Sequence, residues 1–135
     1  MNKLAIILVG VMTGGIAQAD NLEGVKEMLC AVSQVQICIE NDTCYSALPA
    51  ELNVPDFVVI NPGKKTLKTT RASNQNRSTS FSNVERVDGL IYLQGIENGR
   101  AFSFVIDEAS GRITAAISRD GVSVSVFGAC TDTNL

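Results

Sequence analysis

Four turn-forming dipeptides in the second half of the chain constrain its fold more than any other feature of the sequence. They are Asp88-Gly89, Asn98-Gly99, Ser110-Gly111 and Asp120-Gly121, and they recur about every ten residues. Pairs of this kind supply the positive φ angles of tight β-hairpin turns. Their spacing predicts a series of short antiparallel strands that are joined by hairpins.

The segments between these turns alternate apolar and polar residues. The apolar positions share one face of each segment: Phe102, Phe104 and Ile106, then Ile113, Ala115 and Ile117, then Val122, Val124, Val126 and, in the same register, Cys130. A period of two with one apolar face is typical of half-buried antiparallel strands. We therefore predict a meander of five consecutive strands at residues 78–87, 90–97, 100–107, 112–119 and 122–129.

The first half of the chain is less regular. Residues 28–39 are apolar and partly alternating, which indicates a strand, and residues 56–60 and 65–70 flank Asn61-Pro62-Gly63 as a hairpin would. Residues 20–27 are compatible with a short helix or an irregular end. Residues 71–78 form a polar connection or a strand end.

Together these segments predict an all-β protein, an antiparallel up-and-down meander of about eight strands. Up-and-down strands in this number usually close into a small barrel, fully or nearly, because closure removes exposed strand edges. The first strand then lies beside the last. A two-sheet sandwich is the main alternative.

The N-terminus has the pattern of a secretory signal peptide. Lys3 precedes an apolar run at residues 4–12, and Ala17-Gln18-Ala19 provides a small-residue cleavage site. The apolar run is too short for a membrane span. We expect residues 1–19 to be removed after Ala19, and residues 20–135 to form one domain in the periplasm or outside the cell.

Export changes the interpretation of the four cysteines, Cys30, Cys38, Cys44 and Cys130. In an oxidising compartment they indicate two disulfides before a metal site, and no pair has the C-x2-C spacing of zinc ligands. Three pairings are possible. Cys38 and Cys44 flank a turn-forming segment, so we predict that they pair with each other. This leaves Cys30 for Cys130, and that bridge would join the first strand of the domain to the last.

The composition argues against several classes of function. The chain contains no histidine, which excludes Ser-His and Cys-His nucleophiles and imidazole metal sites. It has no G-x-S-x-G, G-x-G-x-x-G or phosphate-loop motif. Its net charge of −3 argues against general binding to nucleic acid. We expect a monomer that is not an enzyme and that has no catalytic residue, no metal and no cofactor.

One charge asymmetry marks a candidate contact surface. Residues 57–84 contain no acidic residue but carry a basic strip: Lys64, Lys65, Lys68, Arg71 and Arg77. Such a strip either meets an acidic ligand or partner, or is a solvated strand edge on which lysine discourages edge-to-edge pairing. Tyr92 and Arg100 lie on neighbouring predicted strands. They are either the mouth of a pocket or an ordinary cross-strand pair.

Part of the sequence resembles a group of small exported proteins of alphaproteobacteria. The shared features are Gln94-Gly95 at a strand end, Gly99 to Ser103, Ile106-Asp107 followed by Gly111, and the terminal Gly128 to Cys130. The resemblance implies export and a C-terminal strand that ends in G-x-C. It transfers no function and no site residue.

Three functions are compatible with these features, and the least favoured is an enzyme that uses carboxylates alone. The first is an exported, non-enzymatic β-barrel protein that binds an envelope protein or a small ligand. The alternative is a periplasmic inhibitor of an extracellular hydrolase, because inhibitors of c-type lysozyme are disulfide-bearing barrels of similar size. Their S-G-x-x-Y loop, aligned on Ser110-Gly111, would place Tyr where this chain has Thr114.

Overall fold

The computed structural model describes residues 21–134, so the predicted signal peptide, residues 1–19, lies outside the described residues. The fold is all-β, as predicted, with two short 3₁₀ helices at Pro49–Leu52 and Arg71–Ser73. The strands are β1 (Met28–Ile39), β2 (Cys44–Ala47), β3 (Phe57–Asn61), β4 (Thr66–Thr69), β5 (Ser78–Ser80), β6 (Asn83–Val87), β7 (Leu90–Glu97), β8 (Arg100–Asp107), β9 (Arg112–Arg119) and β10 (Val122–Asp132).

All ten strands belong to one antiparallel sheet that curls into a half-barrel. Nine of them follow the order β5-β4-β3-β1-β10-β9-β8-β7-β6, and β2 pairs with the part of β1 that β3 does not reach. The predicted C-terminal meander is confirmed except for its first strand, and so is the prediction that the first strand of the domain lies beside the last.

The turn dipeptides explain why the meander was predictable. Strands β7, β8 and β9 have the predicted bounds, and β10 extends three residues further. Asn98 and Gly99 have φ angles of 51° and 73°, so both occupy the left-handed region that a two-residue hairpin requires. We call the end of the sheet where this turn lies the mouth end. The turns after β6 and β8 lie at the opposite end.

The prediction of one regular strand over residues 78–87 was wrong, because the chain bends at Phe81 and Ser82. The Phe81 N–H donates to the carbonyl of Lys65 on one side (2.9 Å), and the Ser82 N–H donates to the carbonyl of Gln94 on the other (2.9 Å). The first part of the segment therefore pairs with β4 and the second part with β7. One bent stretch of chain thus joins the two edges of the half-barrel.

The first half differs from the predictions in smaller ways. Residues 21–27 form an irregular end with turns, which is one of the two predicted alternatives, and β3 and β4 span slightly different residues from those predicted. Strand β2 and both 3₁₀ helices were not predicted. Leu22 is fully buried and its N–H donates to the carbonyl of Glu108 (2.7 Å), so this segment closes the end of the half-barrel opposite the mouth end.

No buried side chain of the described residues is polar, and the buried hydrophobic side chains other than Ile37 form two clusters on the concave face. The larger cluster is centred on Ile91, Leu93 and Ile106, and the smaller contains Val35, Ala115 and Val126. Phe104 and Ile117 pack against both clusters. Apart from these bridging side chains, the core is divided rather than continuous.

Both predicted disulfides are confirmed. Cys30 and Cys130 face each other directly in the β1–β10 register, and both are buried. Cys38 and Cys44 face each other between β1 and β2. The first bridge thus lies inside the half-barrel where its N- and C-terminal strands meet, as the sequence predicted, and the second closes the β1–β2 hairpin.

A bulge at Ser33 interrupts the register between β1 and β10. The Ser33 hydroxyl donates to the carbonyl of Phe127 (3.0 Å), and the neighbouring Gly128 lies against the backbone of Ala31. A Cβ at position 128 would overlap the carbonyl oxygen of Ala31. Glycine is therefore required here for the first and last strands to approach each other.

Candidate ligand-binding site

A cavity of about 340 Å³ lies on the concave face between the two core clusters. Ligand sites in proteins span roughly 300–1,000 Å³ and are mostly apolar, so this cavity suits a small ligand. Its apolar lining comes from strands all around the half-barrel and from one loop: Val32, Leu52, Val54, Val58, Leu67, Phe102, Phe104, Ile113, Ala115, Ile117 and Val126.

The cavity opens where the edges of the half-barrel diverge. Strand β6 pairs with β7 only as far as Gln94, and β5 pairs with β4, so no ladder joins β5 to the last residues of β7. The residues on the two sides of this gap line the cavity: Arg77, Ser78 and Thr79 on one side, and Glu97, Asn98 and Arg100 on the other. Because the bent segment changes its pairing partner from β4 to β7, a gap remains between β5 and the end of β7, and this gap is the entrance to the cavity.

The loop between β2 and β3 forms another side of the entrance, and its own hydrogen bonds shape it. Glu51 Oε2 accepts from the N–H of Leu48 (2.9 Å), which caps the 3₁₀ helix, and the N–H of Val54 donates to the carbonyl of Pro49 (2.9 Å). Asn53 has a φ of 54°, and this reverses the chain so that Asn53 and Val54 both line the cavity.

Arg77 links this loop to β4. Its N–H donates to Thr69 Oγ1 (2.9 Å), and its Nη1 donates to the carbonyl of Asn53 (2.9 Å) and to Gln75 Oε1 (3.3 Å). The guanidinium is therefore held beside the entrance in spite of its exposure. Its Nη2 and Nε groups make none of these three hydrogen bonds.

Three charged residues line the cavity: Glu97, Arg77 and Arg100. Glu97 and Arg100 are cross-strand neighbours at the β7–β8 turn. Within residues 21–134 the only ion pair joins Arg86 to Glu108 (3.7 Å), at the opposite end of the sheet, so neither arginine at the entrance is neutralised by an ion pair there. The entrance therefore carries an excess of positive charge over an apolar interior.

Aromatic packing forms the back of the cavity. Phe81, Phe102 and Phe104 meet with ring centroids 5.4–5.9 Å apart, and Phe81 contacts each of the other two edge to face. Gly95 allows this arrangement, because a Cβ there would lie 2.6 Å from Cζ of Phe102. Phe81 at the bend thus fixes both the corner of the barrel and the position of two cavity-lining rings.

The structure separates the residues that the sequence grouped as a contact surface. Arg100 lines the cavity, whereas Tyr92 pairs with Val105 on the convex face. Within the basic strip, Lys64 and Lys65 lie in the β3–β4 turn at the end opposite the mouth. Lys68, Arg71, Lys64, Lys65 and Tyr92 are all outside the cavity lining, and of the strip only Arg77 contributes to it.

Sequence reasoning missed Glu97 and the loop at residues 52–55. Glu97 directly precedes a predicted two-residue turn, so its position opposite Arg100 could have been read from the hairpin. The loop residues carried a weaker signal, a Pro49 at the start of a helical turn with Glu51 two residues later. Nothing in the sequence indicated that this loop would reach over the concave face.

The environment of Asp107 lowers the pKa of its carboxyl group. Ser110 Oγ donates to Asp107 Oδ2 (2.9 Å), the N–H of Ala109 donates to Oδ1 (3.1 Å), and Arg112 lies nearby. These contacts, led by the Ser110 hydrogen bond, lower the pKa of Asp107. The arrangement stabilises the β8–β9 turn at the end opposite the entrance, where Asp107 is far from the cavity.

Neither of the 3₁₀ helices in residues 21–134 is long and apolar enough to cross a bilayer. In the same part of the chain, no three His, Cys, Asp or Glu side chains lie together in a way that could hold a metal ion. Comparisons of the chain with protein-family models, with curated proteins and with solved structures find no match. The resemblance to the alphaproteobacterial proteins stays a prediction.

Proposed function

We propose that this protein is an exported, non-enzymatic binding protein that holds a small apolar ligand on the concave face of its half-barrel. The observation that carries the proposal is the cavity of about 340 Å³, which separates two otherwise apolar core clusters. A core that served stability alone would be filled, because an unfilled apolar volume costs stability.

The charged groups of the cavity support a binding role without catalysis. Among residues 21–134, Glu97 is the only carboxylate in the lining, so these residues do not supply the paired carboxylates that acid–base chemistry without histidine would require. The two disulfides fit a compartment outside the cytoplasm, and they support the periplasmic or secreted location that the signal peptide predicts.

Calorimetric titration with 1-octanol tests the proposal, since octanol is neutral and small. At about 0.5 kcal/mol per non-hydrogen atom, octanol binds with about 4.5 kcal/mol, which is a Kd of about 0.5 mM. A negative heat-capacity change is expected because apolar surface is buried. Absence of saturable binding to the wild-type protein would refute the proposal.

Two neighbouring alanines provide a matched pair of variants. Ala115 is buried and lines the cavity, whereas Ala116 points to the convex face of the same strand and is exposed. We expect Ala115→Phe to abolish octanol binding by filling the cavity and Ala116→Phe to leave it unchanged. Ala115→Leu serves as a smaller replacement, with folding checked by circular dichroism and by the presence of both disulfides.

The hydrolase-inhibitor alternative has one observation in its favour. Ile96, beside the β7–β8 turn, is 81% exposed, and an apolar side chain at the tip of a rim hairpin is suited to a protein contact. The wild-type protein should then inhibit lysozyme or a secreted protease, and the Ile96→Asp variant should inhibit neither enzyme. Full hydrolase activity at a large excess of the wild-type protein would argue against this second candidate.

A further inference from the structure

We infer that the ligand is an anionic amphiphile: a single short aliphatic body with a carboxylate at one end, of about the size of octanoate. This inference rests on the proposed function and specifies the chemistry of its ligand. The relevant juxtaposition is an apolar cavity whose only cationic groups, Arg77 and Arg100, both lie at its entrance.

The apolar interior of the cavity favours an aliphatic body for the ligand. Apart from β5 and the residues beside the β7–β8 turn, the strand residues that line the cavity are apolar, and no buried side-chain nitrogen or oxygen among the described residues lacks a hydrogen-bond partner. A ligand with polar groups along its length would find no partners inside and would lose the hydrogen bonds that water gives it. The cavity is near the lower limit for ligand sites, so one short chain fits and a two-chain lipid does not.

The positive charge at the entrance favours a carboxylate as the head of the ligand. Arg77 is already fixed through Nη1 by the Asn53 carbonyl, so its planar guanidinium can bind a carboxylate with little further loss of side-chain entropy. Arg100 lies across the gap from Arg77, on the other side of the entrance. Glu97 is the one opposing charge, and two guanidinium groups outnumber it.

The test compares three ligands with the same chain and different heads: octanoate, 1-octanol and octylammonium. We expect octanoate to bind about fivefold more tightly than octanol and octylammonium to bind more weakly than either, as a partly exposed charge-assisted contact implies. The preference for octanoate should shrink as salt rises from about 20 to 150 mM, because screening weakens exposed charge pairs.

Variants identify the group that selects the head. Arg100→Gln should lower the ratio of octanoate affinity to octanol affinity from about fivefold towards one, because Arg77 and Glu97 then leave the entrance with no net charge. Arg112→Gln is the control, because it removes the same charge from the convex face at the other end of the sheet. The length of β8 separates the two positions by about 23 Å, well beyond the screening length of about 8 Å.

The outcomes separate this inference from the proposed function. Octanol binding together with equal affinity for octanoate would overturn the inference and leave the binding role intact. Tighter binding of octylammonium would also overturn it, and would assign the selection to Glu97. Failure of octanol and octanoate alike, in a protein with both disulfides and a cooperative unfolding transition, would overturn both.

Discussion

The two disulfides should contribute unequally to stability, and the structure gives the size of the difference. Cys30–Cys130 spans a sequence separation of 100 residues and Cys38–Cys44 a separation of 6. In the chain-entropy model, the longer loop corresponds to about 4.7 kcal/mol and the shorter to about 2.2 kcal/mol. Replacing either pair by alanine removes one bridge and permits a direct comparison.

Burial enlarges this difference. Cys30 and Cys130 are 2% and 4% exposed, so truncating them to alanine also leaves space in the larger core cluster, at a cost on the order of 1 kcal/mol per site. Cys38 and Cys44 lie outside both core clusters and carry little of this cost. We expect C30A/C130A to lose about 5–7 kcal/mol and C38A/C44A about 2 kcal/mol. The larger loss is comparable to the whole stability of a domain of this size.

Urea unfolding followed by circular dichroism, with linear extrapolation, measures both losses. Reducing C38A/C44A with dithiothreitol breaks only Cys30–Cys130 and keeps both sulfur atoms, and it therefore separates the crosslink from the packing. The m-value should rise when the long bridge is removed, because the denatured chain becomes less compact. Equal losses for the two alanine pairs would refute the argument from loop length.

Two further predictions concern single residues. Gly128→Ala should destabilise the protein by more than about 3 kcal/mol, because its Cβ would overlap the Ala31 carbonyl. At Gly63 a Cβ would make only an ordinary van der Waals contact with Asn61 Oδ1 (3.5 Å), so Gly63→Ala should cost less than about 1 kcal/mol in the same urea assay. Asp107→Asn should destabilise the protein modestly at pH 7. Because folding lowers the pKa of Asp107, the stability from its ionised form is complete above about pH 4 and is lost as the pH falls through the lowered value, so the gap between wild type and variant should close in acid. A gap that stays constant down to pH 2 would contradict the assignment to the carboxylate.

Most of the fold was predictable where local signals agreed. The hairpins from β7 to β10 combine turn dipeptides with largely alternating apolar residues, so the bounds of β7, β8 and β9 and the start of β10 follow from the sequence. The bend at Phe81 has a signal in the sequence that the prediction did not use. The apolar residues Phe81 and Val84 are three positions apart, which breaks the period of two. Strand β2 has no alternation of buried and exposed positions, and only its pairing with β1 defines it.

The candidate site was predictable only in fragments. Arg100 and Tyr92 were predicted to form either a pocket mouth or an ordinary cross-strand pair, and of the two only Arg100 lines the cavity. The residues of the basic strip are close in sequence but not in space. Lys64 lies in the β3–β4 turn, at the end of the sheet opposite Arg77. The entrance depends on where the two edges of a curled sheet diverge, and this is set by long-range pairing that no short window of sequence contains.

The position of β1 between β3 and β10 has a consequence for the order in which the bonds form. As the chain emerges N-terminal end first, β1 meets β2 and β3 early, whereas its other partner, β10, is the last strand to be synthesised. Until β1 becomes an extended strand, which would hold Cys30 and Cys38 about 26 Å apart, the Cys30 thiol can pair with Cys38 or Cys44 while its native partner is still missing. Cys30 and Cys38 are consecutive cysteines in the sequence, so a bridge between them is the expected first non-native disulfide. Correcting it requires thiol–disulfide exchange after β10 has docked. The bridge that contributes most to the folded protein is thus the one that forms last, so a thiol–disulfide isomerase should increase the yield of native protein more than a faster oxidant would.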